Sequence, residues 1–129
     1  MCRSVRYKRN VSADVNKFLR HLTTTSRTRA GRIGVPFTIT PTQIRDLWKK
    51  QGGRCAISGV VMTHAIGDGT ILSSGYNASI DRIDSAGGYT PNNVQLVCGR
   101  VNYMKSNMDN SDFSWWIRTI YECSIQEAP

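Results

Sequence analysis

The sequence predicts a single α+β domain in which a two-stranded antiparallel ribbon and a helix are flanked by helices at both ends. Two helical patterns precede residue 52, two strand-like runs lie between residues 78 and 97, and an amphipathic segment ends the chain. At 129 residues the chain can bury one modest core and is too short for two independent ones. We therefore expect a basic helical region (1–52), a central core (53–108) and a C-terminal packing helix (109–129).

The first helix is predicted over residues 12–30, where apolar side chains recur at helical spacing. Those side chains are Val15, Phe18, Leu19 and Leu22. The polar run that follows them predicts either one continuous helix or one interrupted near Thr23.

The second helix begins with a capping signal. Thr40 is the predicted N-cap, Pro41 occupies the first helical position, and Gln43 completes a capping box. Its predicted buried stripe consists of Ile44, Leu47 and Trp48. Two consecutive glycines, Gly52 and Gly53, predict its end.

Short runs separated by turn residues follow. Residues 55–62 suggest a strand, a tight turn and a return, and the Gly- and Ser-rich residues 63–77 predict a surface loop. Residues 78–83 and 94–97 read as two strands, and residues 98–104 read as a helix. The order strand, strand, helix follows.

The last segment predicts a helix that starts after Asn110 or Ser111 as N-cap and closes the core. Its predicted buried face contains Phe113, Trp116, Ile117, Ile120 and Tyr121. No catalytic role is expected for it.

Charge is distributed unevenly. The formal net charge is +8, and residues 1–54 carry 13 Lys or Arg against only two acidic side chains, a net of +11. The remaining 75 residues have a net charge of −3. A basic region of this kind attracts a polyanion in a salt-dependent way, so DNA is the predicted partner; a solvated basic face without a partner is the alternative.

The chain shows no hydrophobic segment typical of secretion or membrane insertion, so the expectation is a reducing cytoplasm, that of the host if a phage encodes the chain, with no membrane partner. Four widely spaced cysteines do not form Cys-x-x-Cys pairs. Cys55 is followed by Ser58, and Cys98 by Val101, at the positions where a second cysteine would complete each pair. No structural zinc is expected, and both thiols are predicted to be buried as small apolar groups.

Three polar residues are spaced in a way that suits a metal. Asp81 ends one predicted strand, Asn93 opens the next, and Asn102 lies in the first turn of the helix that follows. A hard divalent cation takes oxygen ligands and keeps positions open for phosphate oxygens, which one carboxylate and one amide allow. Taken singly, each residue has an ordinary role in a turn, a strand start or a polar helix face.

The stretch from Ser79 to Lys105 reads SIDRIDSAGGYTPNNVQLVCGRVNYMK. Within residues 53–105 the chain resembles the HNH endonucleases of the ββα-metal (His-Me finger) superfamily, particularly small phage-type members. The resemblance implies a ββα-metal core in which Asp81 and Asn102 bind Mg²⁺ or Mn²⁺ and Asn93 braces the loop between the strands. Lys105 matches the lysine that commonly follows the second ligand.

One departure concerns catalysis. The resemblance implies a histidine after Asp81 as general base, but the chain has Arg82, which cannot accept a proton at neutral pH. We expect Arg82 to neutralise charge on the phosphate and His64 to be the leading replacement base, with Tyr76 and Tyr89 as weaker candidates.

The sequence thus predicts a metal-dependent DNA endonuclease. The residues expected to hold the DNA backbone are Arg27, Arg29, Arg32, Lys49, Lys50, Arg100 and Lys105. One site cuts one strand, so duplex cleavage requires a homodimer or two encounters. The alternatives are a catalytically degenerate DNA-binding protein and a structural or protein-binding domain in which Asp81 and Asp84 cap turns.

Overall fold

A computed structural model describes residues 14–66 and 75–126. Within those residues it contains four helices and one two-stranded antiparallel sheet, which confirms the α+β class. The elements are α1 (Val15–Ile33), α2 (Pro41–Gln51), β1 (Ala78–Arg82), β2 (Val94–Cys98), α3 (Gly99–Lys105) and α4 (Asn110–Gln126). The start of the predicted first helix, the middle of the predicted surface loop and the last three residues lie outside the described residues.

Helix α1 is continuous. The Asp14 side chain accepts from the Lys17 N–H at 3.1 Å and caps its start, and Gly34, at φ +75°, ends it in the left-handed region. Of the two alternatives, the continuous helix is the one observed, and the Thr23 hydroxyl donates to the carbonyl of Leu19 at 2.7 Å within it.

Helix α2 has the predicted capping box. The Thr40 hydroxyl accepts from the Gln43 N–H, and the Gln43 side chain accepts from the Thr40 N–H at 2.9 Å. Ile44 is fully buried, while Leu47 and Trp48 are partly buried against the core. These three side chains define the face of α2 that packs on the core.

Residues 55–62 form a tight turn, not the two short strands expected from their pattern. The Cys55 N–H donates to the Val60 carbonyl at 2.8 Å, and Gly59 reverses the chain at φ +74°. A single bridge pairs Arg54 with Val61, so the ladder does not extend.

The sheet pairs Ile80 with Leu96 and Asp81 with Gln95. Because side chains alternate along a strand, Ile80 and Leu96 share one face, while Asp81 and Gln95 share the other with Ser79. Helix α3 covers the second face, since its side chains are hydrogen-bonded to Ser79 and Asp81.

The core combines the two predicted regions 1–52 and 53–108. Buried Leu19 of α1 and Ile44 of α2 belong to the same apolar cluster as Ile80 and Leu96 of the sheet. The basic N-terminal helices therefore share one core with β1 and β2.

Helix α4 does not close that core, so this prediction is wrong. Phe113 is its one buried side chain among the described residues, and Trp116, Ile120 and Tyr121 are 51%, 60% and 62% exposed. The predicted cap is also wrong, because the Asp109 side chain accepts from the Asp112 N–H at 2.8 Å. Helical periodicity shows that a segment has an apolar face, but it does not show what covers that face.

None of the helices in residues 14–66 and 75–126 has the length and apolar character needed to cross a membrane.

Candidate active site

Asp81 lies near the end of β1 and is 6% exposed. Its Oδ2 atom accepts from Lys105 Nζ at 2.7 Å and from Gln95 Nε2 at 2.9 Å. Lys105 is fully buried and also donates to the Arg82 carbonyl at 2.6 Å. The predicted DNA contact by Lys105 is therefore wrong, because its ammonium group has no access to a phosphate and neutralises Asp81 instead.

Gln95 extends this contact to α4. Its side chain exchanges two hydrogen bonds with that of Asn110, at 2.8 and 3.2 Å, and the Asn110 N–H donates to the Ile83 carbonyl at 3.1 Å. Neither residue was among the predicted site residues. A signal for Gln95 existed, since it is the one polar side chain in the otherwise apolar strand Val94–Cys98.

Asn102 contacts the same face of β1. Its Nδ2 donates to Ser79 Oγ at 3.0 Å, and Ser79 Oγ donates to the Val97 carbonyl at 3.0 Å. Because the hydroxyl proton is used on Val97, Ser79 must accept from Asn102, and this fixes which end of the amide is the oxygen. Among the residues with described positions, Asn102 Oδ1 and Asp81 Oδ1 have no hydrogen-bond partner.

Asn93 holds the loop between the two strands. Its Oδ1 accepts from the Asp84 N–H, and its Nδ2 donates to the carbonyls of Asp84 and Gly88, all at 2.9 Å. A Cβ at Gly88 would lie 2.6 Å from the Pro36 carbonyl oxygen, so the loop requires glycine there. Asn93 acts through this loop and has no free group directed at a substrate.

Arg82 is fixed by the loop that Asn93 holds. Its Nη1 donates to the carbonyls of Ser85 at 2.8 Å and Gly87 at 2.9 Å, and its guanidinium lies 5.3 Å from the centre of the buried Tyr89 ring. The guanidinium is therefore oriented before any ligand arrives.

The leading replacement base lies elsewhere. His64 packs against Phe18 and Trp48, with ring centroids 6.3 and 5.8 Å apart, and does not line the cleft that Arg82 borders. Burial lowers the pKa of His64 below its ordinary value of 6.5, and Nδ1 is buried without a partner in the described part of the chain. Tyr76, the other tyrosine candidate, is half-buried just before β1.

A cleft of about 640 Å³ lies between α1, the end of β1, and α3 with the two residues that follow it. Its lining residues are Arg29, Arg82, Gly99, Asn102, Tyr103, Ser106 and Asn107. Of the residues with described positions, two guanidinium groups and two amides line it and no carboxylate does. This cleft is the strongest candidate for an anion site in the described residues.

The other predicted DNA contacts lie outside this cleft. Arg27 is placed over the Phe37 ring at 5.2 Å from its centre. Four other predicted contacts are exposed but do not line the cleft: Arg32, Lys49, Lys50 and Arg100. Arg29 is therefore the one predicted N-terminal contact that the structure brings to Arg82.

Cys55 and Cys98 are both buried, as predicted, and their thiols are hydrogen-bonded to each other. The pKa of Cys55 is lowered because it accepts from Cys98 and from the Ser58 N–H, whereas donation to Cys55 and burial raise the pKa of Cys98. Across residues 14–66 and 75–126, no three His, Cys, Asp or Glu side chains converge as a metal-binding group.

Comparisons of the chain with protein-family models, characterised proteins and solved structures gave no significant match.

Proposed function

We propose that this protein is a metal-dependent DNA endonuclease of HNH type with a ββα-metal core, and that the DNA backbone enters the cleft lined by Arg29 and Arg82. One observation carries the proposal. Among the described residues, Asp81 on β1 and Asn102 on α3 each keep one oxygen atom without a hydrogen-bond partner, next to a cleft to which those residues contribute two guanidinium groups and no carboxylate. Oxygen donors beside cationic groups are what hydrolysis of a phosphodiester needs.

The donors fit a hard cation that retains several water ligands. Asp81 Oδ1 and Asn102 Oδ1 would hold Mg²⁺ or Mn²⁺, and such an ion supplies Lewis-acid polarisation of the phosphate when bound. The Lys105 ammonium lies 2.7 Å from the other oxygen of Asp81 and reduces the charge available to the ion. We therefore expect weak metal binding.

The remaining residues of the site orient the phosphate. Arg82 is held by the Ser85 and Gly87 carbonyls, so it presents its positive charge to a phosphate oxygen without first being ordered. Asn93 fixes that loop, and Arg29 adds charge from α1. No side chain in the described lining of the cleft accepts a proton readily at neutral pH, so we assign the proton of the attacking water to solvent.

A second function, DNA binding without cleavage, is favoured by the ion pair between Asp81 and Lys105. Lys105 already neutralises the only carboxylate of the proposed metal site, and this arrangement is stable without a metal. The same cleft would then bind the DNA backbone and leave it intact.

A nicking assay on supercoiled plasmid with Mg²⁺ or Mn²⁺ separates the two functions. Asn102→Ala removes a proposed metal oxygen, and we expect it to lower nicking at least about 100-fold. The double variant Asp81→Asn with Lys105→Met removes the carboxylate without leaving a buried unpaired charge, and we expect it to lose metal-dependent nicking. Asn92→Ala, at an exposed asparagine, is the matched control and should nick like the natural protein.

DNA binding is measured for the same proteins by gel shift at increasing salt. Salt-dependent binding without metal-dependent nicking by the natural protein would establish the second function. If Asn102→Ala nicks at the natural rate, the proposed metal site is wrong. Absence of both nicking and binding would overturn both functions.

A further inference from the structure

Tyr103 has no structural role that its surroundings explain. It lies on α3, lines the cleft, and is 82% exposed, the highest value among the large apolar side chains described. No aromatic ring or cation packs against it within residues 14–66 and 75–126. A single exposed aromatic is ordinary on a surface, so its position must be weighed with the rest of the cleft.

The backbone of the cleft is also unusual. Ser106 ends α3 at φ +54°, and in the described part of the chain it is the one residue other than glycine with positive φ. This conformation is costly for a residue with a Cβ and tends to occur where a site needs it. The strained residue and the exposed ring are three positions apart and line the same cleft.

The chemistry of the lining resembles what a nucleotide needs. Arg29 and Arg82 can pair with phosphate, the side chain of Asn107 carries both donors and an acceptor for a base edge, and Tyr103 offers a ring face. A volume of about 640 Å³ lies within the usual range for sites of small ligands.

We infer that the cleft binds single-stranded DNA, with one base stacked on Tyr103 and the adjoining phosphate between Arg29 and Arg82. In a duplex the faces of the bases are covered by their neighbours, so a ring can stack on a paired base only after the base step is opened, whereas an unpaired base is already accessible. The exposed ring therefore selects single strands or unpaired segments. This inference rests on the proposed function, since it names the form of DNA that the same cleft takes.

Fluorescence anisotropy in EDTA, where DNA is not cut, tests the inference with three probes: a short oligothymidylate, an abasic strand of the same length, and a blunt duplex. The abasic strand keeps the phosphates and lacks the bases. Tyr103→Ala should weaken oligothymidylate binding about tenfold or more and leave abasic binding unchanged, because only the stacked base is lost. Tyr103→Phe should bind like the natural protein.

Tyr121→Ala is the matched control, because Tyr121 is 62% exposed on α4 and does not line the cleft. If Tyr103→Ala leaves oligothymidylate binding unchanged, or weakens the abasic strand equally, the inference is wrong. If the natural protein binds the duplex in a salt-dependent way and prefers no single strand, the inference fails and the proposed function stands. If none of the three probes binds, the inference fails, and the plasmid nicking assay decides the proposed function.

Discussion

At the contact between β1 and α3 the side chains are bound to protein partners, whereas most large apolar side chains of helix α4 are exposed to solvent. At the first, two hydrogen-bonded pairs of side chains cross the contact: Asp81 with Lys105, and Ser79 with Asn102. At the second, large apolar side chains face water along most of the helix. Asn110 and the buried Phe113 attach the beginning of α4, and both lie in its first turn.

This difference distinguishes two kinds of region. In one, the protein's own contacts determine the geometry; in the other, they do not. Satisfied buried polar groups have one arrangement, because breaking any of them leaves a charge or amide unpaired. An exposed apolar face is compatible with many arrangements. The candidate active site lies in the determined part, which suits the preorganisation that electrostatic catalysis requires.

The largest expected effect comes from the ion pair. Lys105→Met leaves the Asp81 carboxylate buried without its cation, and we expect the free energy of unfolding to fall by about 3–5 kcal/mol. Urea denaturation followed by circular dichroism measures it. The double variant Asp81→Asn with Lys105→Met should recover most of the loss, because no unpaired charge remains.

Lys49→Met provides the control, since Lys49 is exposed in the last turn of α2 and its loss should change stability by less than about 0.5 kcal/mol. If Lys105→Met lowers the free energy of unfolding no more than this control does, the ion pair does not determine the geometry of the contact between β1 and α3. The comparison with α4 would then fail.

The ion pair between Asp81 and Lys105 is a contact that the sequence alone could not predict. Strand positions and the capping box of α2 could be predicted, because period-two alternation and capping are local signals. The pairing of Asp81 with Lys105 spans 24 residues and depends on which face of α3 meets β1. The motif placed Lys105 after Asn102 but carried no information on whether its ammonium group points to solvent or into the protein.

The site was likewise predictable only in part. Asp81 and Asn102 do lie on facing elements, and Asn93 does hold the loop between the strands. The partnership of Arg29 with Arg82 at the cleft had no local signal, because α1 and β1 are far apart in sequence. Residue type and a place in the loop before the first strand favour His64 as a base, whereas packing against Phe18 and Trp48 decides its position.

A pair of variants on α4 tests the other side of the comparison. Phe113→Ala removes a side chain that is 4% exposed, and we expect a loss of about 3 kcal/mol, with faster amide exchange throughout α4 than in β1 and β2. Trp116→Ala removes a larger ring that is 51% exposed, and we expect a loss below about 1 kcal/mol. Equal losses would mean that the apolar face of α4 is covered in solution, and the contrast between the two regions would be lost.

The smallest expected effect is the pH dependence of stability that His64 causes. His64 lies outside both compared regions, because neither the contact between β1 and α3 nor helix α4 contains a histidine. Burial holds the pKa of His64 below 6.5, whereas in the unfolded chain it returns to that value. The unfolded state then binds the proton first, so His64 leaves stability unaffected above pH 6.5 and lowers it as the pH falls from 6.5 through the depressed pKa. Urea unfolding at about pH 8 and about pH 5 should show a smaller decrease for His64→Phe than for the natural protein. Equal decreases would assign the pH dependence to groups outside the Phe18 and Trp48 contact.

His64→Phe should also leave plasmid nicking unchanged, since His64 does not line the cleft; a loss of nicking with unchanged stability would return His64 to the role of general base.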